Sequence, residues 1–258
     1  MKATNLKYDI TKSTAPAMPK LGKGTECVQL LLSQISKDMH EPLVPMFFPI
    51  LGAQVSETEF QYPDLSWKEL CGMMGNLVAD SGCNKGQLSN IVEAICHNLR
   101  EHDSTELEKL VEWQKQMKTK SANKEKPARP DVSFWFPPAD VTNAAFIQNA
   151  MTCEKLGGRT QYLNLPEVEM ADRMCGGHKQ ISQMLRNIYD RQRSGALRAT
   201  AEGVTGNPVL RANLTISSTP YAARKFYKNE LFNGTFGRMV FSYKARQGRE
   251  GKIPRQGK

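Results

Sequence analysis

The chain has 258 residues, 40% hydrophobic and 24% charged, with a formal net charge of +9. That composition excludes disordered and collagen-like chains, and the length is enough to bury a sizeable core without disulfide or metal staples. No apolar stretch approaches the roughly 20 residues of a membrane helix. The opening Met1-Lys2-Ala3-Thr4-Asn5 lacks the apolar region of a signal peptide, so a cytoplasmic location away from membranes is expected.

Residues 1–24, with Pro16, Pro19, Gly22 and Gly24, read as a loose lead-in. Cys27 to Met39 reads as a helix. Pro42, Pro45 and Pro49 are expected to break the chain, and the apolar run Leu43 to Val55 to form a helix or turn that Gly52 and Ala53 pack tightly. Tyr62-Pro63-Asp64-Leu65 is a turn. Leu70 to Val78 reads as a buried strand. It leads into the small polar segment Ala79-Asp80-Ser81-Gly82-Cys83-Asn84-Lys85-Gly86. From Gln87 to Arg100 apolar residues recur at spacings of 3, 4 and 7, which predicts an amphipathic helix. Helical pattern continues through Trp113 into a lysine-rich stretch, 118–130, read as an exposed linker.

Val132 to Phe136 is expected to be a strand, stopped by Pro137-Pro138. A helix from Thr142 ends at Gly157-Gly158. Thr160 to Leu165 is the next strand, Ile181 to Tyr189 a helix, Leu210 to Ser217 a strand, Tyr221 to Leu231 a helix and Phe236 to Tyr243 a last strand. Strands alternating with helices predict an α/β fold with a mostly parallel sheet covered on both faces. In such sheets ligands lie at the carboxyl ends of the strands. The loop after Val78, Glu167 after Leu165, and Ser217-Ser218-Thr219 after Ile216 fall there.

Six cysteines, with no C-x-x-C pair, read as free thiols. Cys96, His97 and His102 match no zinc spacing, so no metal site is assigned to them. Positive charge concentrates in 115–130 and 244–258. Such arms are either solvated segments or sequence-independent contacts to nucleic-acid phosphates.

A phosphate-binding loop needs backbone N–H groups and a helix N-terminus converging on phosphate oxygens, with a lysine reaching the terminal phosphates. The pattern is G-x-x-x-x-G-K-[ST]. With its lysine on Lys85, Ala79 and Asn84 stand at the two glycines and Gly86 at the hydroxyl. Gly82 can supply the open turn, and Asn84 tolerates positive φ. Gly86 cannot bind Mg²⁺, which leaves Gln87, Ser89 or water for that role. The alternative is an ordinary glycine turn between strand and helix, with Lys85 merely exposed.

From about Leu43 to Tyr243 the sequence resembles a group of P-loop ATPases carried by phages, plasmids and transposons, described as primase-helicase-like with a RecA/AAA-type core. The stretches that carry the resemblance are Leu77 to Leu88, Pro138 to Thr142, Tyr162 to Glu169, and Leu214 to Pro220 followed by Gly234 to Val240. It implies ATP and Mg²⁺ as cofactors, phosphates cradled by Ser81, Gly82, Cys83, Asn84, Lys85, Gly86 and Gln87, and Glu167 polarising the attacking water or holding a magnesium-bound water. It implies Ser218 or Thr219 as a γ-phosphate sensor and Arg238 as an arginine finger across a subunit interface. Pro166 stands where the family has a metal-binding aspartate. The expected division is a lead-in and helix over 1–42, an ATPase-like domain over 43–243 and a basic tail over 244–258, which also suits a fragment of a longer chain. The expected activity is ATP-driven work on DNA, with single-stranded DNA and a homo-oligomeric ring as partners. The alternative is a non-catalytic nucleic-acid-binding or scaffold protein with a degenerate loop.

Overall fold

The computed structural model describes residues 22–245 apart from 24, 57, 65, 67, 71, 120–126, 176–180, 196–203 and 229–233. Most of the lead-in and the basic tail lie outside the described residues, as do the middle of the lysine-rich linker and the end of the helix expected to reach Leu231.

The described elements run α1 (Glu26–Ser33), α2 (His40–Gln54), β1 (Glu59–Phe60), β2 (Glu69–Leu70), β3 (Met74–Ala79), α3 (Gly86–Ile95), α4 (His97–Thr119), α5 (Asn143–Lys155), β4 (Gln161–Leu165), α6 (Glu169–Cys175), α7 (Ile181–Tyr189), β5 (Ala212–Ser218), α8 (Pro220–Tyr227) and β6 (Val240–Lys244). β1 and β2 form a small antiparallel ribbon. The other four strands form one all-parallel sheet in the order β4-β5-β3-β6. The α/β architecture with a parallel sheet is therefore the one expected.

Side chains alternate across each strand and so sort into two layers. Leu163, Leu165, Leu214 and Ile216 face a core built with α5 to α8. Tyr162 and Leu77 face a second core built with α1, α2, α3 and the start of α4. Both faces are covered, as a parallel sheet requires.

Two expectations need correction. The prolines do not break the chain: α2 is continuous through Pro45 and Pro49. Seven of its residues are buried, Met46 and Ile50 just after these prolines among them, and tertiary packing outweighs the local cost of proline. Its backbone is tied down from the strands: Asn213 Nδ2 donates to the Pro49 carbonyl at 3.1 Å and Ser242 Oγ to the Pro42 carbonyl at 2.7 Å. A Cβ on Gly52 would lie 2.8 Å from Asn213 Nδ2, and one on Gly75 2.8 Å from Met46 Cε. These two glycines let helix and sheet touch.

The second correction concerns 132–136, which bends at Trp135 and Phe136 and joins no ladder. Side chains take its N–H groups. Glu106 accepts from Ser133 at 3.0 Å, Asn149 from Phe134 at 2.8 Å, and the two oxygens of Asp103 from Trp135 and Phe136 at 2.7 Å each. Its link to the sheet is Tyr162 N–H to the Trp135 carbonyl at 2.8 Å.

The expected boundaries fall within elements. Residue 42 lies inside α2 and residue 244 ends β6. Leu31, Leu32 and Met39 are buried in the same core as α2 and α3, so α1 and the following turn belong to the domain. Among the described residues no helix is long and apolar enough to cross a membrane.

Candidate functional site

β3 is flanked by β5 and β6, and β4 lies beyond β5. The chain leaves β3 towards β4, and leaves β5 in the opposite direction to reach β6. The helices that follow these two strands lie on opposite faces, α3 in the Tyr162 core and α8 in the Leu214 core, so the two loops part and open a crevice at the carboxyl ends. Ala79 to Gln87 and Ser218-Thr219 border that crevice, and Glu167 follows β4 about 10 Å away across two strand spacings.

The loop turns through Gly82 at φ 80° and Asn84 at φ 59°. Glycine adopts this region freely and asparagine is among the few other residues that tolerate it. The Cys83 N–H bonds to the Asp80 carbonyl, Gln87 to Asn84 and Leu88 to Lys85. Among the described residues no backbone carbonyl accepts from the N–H of Gly82, Asn84, Lys85 or Gly86. Successive uncommitted N–H groups at a helix start form a nest of positive potential. Ser81, Gly82, Asn84, Lys85, Gly86 and Gln87 line an open concavity of about 450 Å³. The Lys85 ammonium rests beside it, donating to the Ala79 carbonyl at 3.1 Å.

The other expected residues fall into three groups. Glu167 is exposed on the carboxyl edge. Ser218 is buried on the α8 side of the sheet, donating to Asn76 Oδ1 at 2.8 Å, while Asn76 Nδ2 donates to Tyr227 Oη at 2.9 Å. Thr219 caps α8, its Oγ1 accepting from Ala222 N–H at 3.2 Å. Both sensor candidates thus have structural partners.

Arg238 precedes β6, at the amino edge of the sheet, opposite the loop. Its Nε and Nη2 each bond a carboxylate oxygen of Asp190 at 2.9 Å, and Nη1 bonds the Gly234 carbonyl. The Asp190 hydrogen bond holds its pKa above the ordinary arginine value. Within one chain it does not meet the loop. The Pro138 to Thr142 stretch ends in another cap, Thr142 Oγ1 accepting from Ala145 N–H at 3.3 Å.

Cys83 is half-buried in the loop. Burial, reinforced by Glu93, pushes the Cys96 thiol up to about 12, and burial does the same for Cys153. Both are unreactive packing residues. Among the described residues no three His, Cys, Asp or Glu side chains gather to hold a metal ion.

A more apolar groove of about 410 Å³ lies elsewhere, between α4, 129–142 and α5. Its lining includes Leu107, Leu110, Val132 and Phe134 and none of the residues expected to hold phosphates.

Sequence reasoning missed Ser36, Asp38 and Lys244. Lys244 was grouped with the basic tail, yet its side chain is only 7% exposed and pairs with Asp38 at 3.0 Å. The alternation Val240, Ser242, Lys244 was the available signal, since it puts Lys244 on the face that Ser242 presents to α2. No protein-family model and no curated protein matches the chain.

Proposed function

We propose that this chain binds a nucleoside triphosphate, ATP, by its phosphates at Ser81 to Gln87. The observation that carries the reading is the loop's conformation. Positive φ at Gly82 and Asn84 leaves the N–H groups of Gly82, Asn84, Lys85 and Gly86 uncommitted beside a lysine, at the start of α3 and in the crevice of a parallel sheet. A generic strand-to-helix turn has no need of this combination. The RecA/AAA-type core implied by the resemblance is compatible with this sheet and with the placing of Glu167 on the same edge.

The consensus magnesium ligands are replaced here, which leaves Asp80 in the loop and Glu167 on the same edge as the carboxylates that would hold the ion or its water. Gly86 brings no hydroxyl, Pro166 no carboxylate, and the Gln87 amide oxygen is occupied by Ser36. A divalent ion prefers one or two carboxylates in addition to substrate phosphates. Lys85 would exchange the Ala79 carbonyl for a phosphate oxygen and neutralise charge there. Glu167 is the group available to orient a water for phosphoryl transfer, which is mostly positioning and charge stabilisation.

Two outcomes follow for biology. In the motor reading, ATP turnover drives work on single-stranded DNA during replication of a mobile element. A ring would then supply Arg238 from a neighbour after its release from Asp190. In the scaffold reading, the nucleotide is held without turnover and the basic segments contact nucleic acid. The occupied Arg238 and the replaced consensus metal ligands favour the second. Calorimetric titration of ATP into the wild type and Lys85→Ala tests the shared premise, with at least a tenfold loss expected, about 1.4 kcal/mol. Equal affinities would remove the loop from consideration. Turnover with single-stranded DNA, abolished by Glu167→Gln, would select the motor; no turnover selects the scaffold.

A further inference from the structure

Gln87 is the most heavily tied side chain of the loop, and its partner comes from outside the motif. Gln87 Oε1 accepts from the Ser36 backbone N–H at 3.0 Å, and Gln87 Nε2 donates to Ser36 Oγ at 2.8 Å, which leaves the Ser36 hydroxyl proton for Asp38. Ser36 belongs to the connector between α1 and α2. Two residues on, Asp38 is hydrogen-bonded by Ser36 and by Lys244. Lys244 is the Cα partner of Ala79 across the β3–β6 ladder, and the Ala79 carbonyl holds Lys85. The connector thus grips the loop from both ends, at the first turn of α3 and beside the last residue of β3. Met39, fully buried, pins it to the core.

Resting on the phosphate-loop reading, we propose that Ser36 and Asp38 are positioning residues of the anion site. They fix the first turn of α3 so that the open N–H groups share one focus. Occupancy of the site passes back through Gln87 to the connector and α1. The hydrogen bonds to Gln87 are exposed and individually modest. The Asp38–Lys244 pair is different, because removing Asp38 strands a nearly buried ammonium. Linkage makes the effect reciprocal: a connector that favours ligand binding is stabilised by the ligand to the same extent.

The test uses the full chain as wild type, Ser36→Ala, Ser36→Thr, Gln87→Ala and the Ser36→Ala/Gln87→Ala double variant. ATP affinity is measured by calorimetry, and amide exchange is followed over 35–39 and 86–90 with and without ATP. Gln87→Ala is expected to lose about tenfold in affinity and Ser36→Ala, which keeps the backbone N–H bond, about threefold, the double variant no more than Gln87→Ala, and Ser36→Thr to keep wild-type affinity. ATP should slow exchange over 35–39 in the wild type and not in Gln87→Ala. Additive losses, or unchanged affinity in Ser36→Ala, overturn the proposal. If the wild type itself binds no ATP, the phosphate-loop reading fails. The ligand-free protein then decides the connector alone: faster exchange over 86–90 in Ser36→Ala upholds its grip on α3, and unchanged exchange overturns it.

Discussion

At the scale of single residues, the loop depends on backbone conformation more than on side-chain chemistry. Asn84 occupies the left-handed region at φ 59°, where alanine costs about 1 kcal/mol and glycine nothing comparable. Asn84→Gly should therefore keep both stability and ATP affinity, while Asn84→Ala should lower the unfolding free energy by about 1 kcal/mol and weaken binding, as denaturant titration and calorimetry can check. The loop's location was legible because Gly82, Asn84 and Lys85 sit between an apolar run and an amphipathic one. Ser36 and Asp38 were not, since nothing in their local sequence announces a partner some 50 or 200 residues away. Asp38 makes a second residue-level test. The Ser36 hydrogen bond, with that from Lys244, holds its carboxyl below the ordinary 3.8. A depressed acid stabilises the fold above its ordinary pKa and loses that contribution as pH falls through the folded value. The melting temperatures of wild type and Asp38→Asn should thus differ by a constant amount above about pH 4 and converge below it.

At the scale of elements, the parallel strands and long helices could be read from periodicity, and the misreadings share one cause. Local propensity was overridden by partners distant in sequence. Val132 to Phe136 has the composition of a strand, but Asp103, Glu106 and Asn149 satisfy its N–H groups in place of a neighbouring strand. Asp103→Ala would leave the Trp135 and Phe136 N–H groups without acceptors and should cost about 2 kcal/mol or more, measured by equilibrium unfolding. Asp103→Asn keeps one acceptor and should cost less. Likewise, α2 survives its prolines because Phe47, Ile50 and their neighbours are buried on the sheet. Its contact is close enough that Gly52→Ala, which drives a methyl into the Asn213 amide, should destabilise the fold by about 1 to 3 kcal/mol.

At the scale of the whole molecule, one parallel sheet separates two cores, and the candidate site sits on the edge where both meet. If the basic segments bind nucleic acid, the affinity of the full chain for single-stranded DNA should fall steeply with salt. On a plot of log affinity against log salt the slope would be about −0.7 per phosphate contacted, whatever the state of the loop. A flat dependence would take nucleic acid out of either reading. The layer formed by α2 has a further consequence, one of timing. Its anchors reach forward 164 residues to Asn213 and 200 to Ser242. A ribosome makes β3 soon after this apolar helix but β5 and β6 much later, so for most of synthesis only part of its sheet-facing side has a native partner. Contacts of such long span slow folding and leave the nascent chain sticky. Chains released before β5 should bind a hydrophobic dye and need a chaperone to stay dispersed, whereas the finished chain should not.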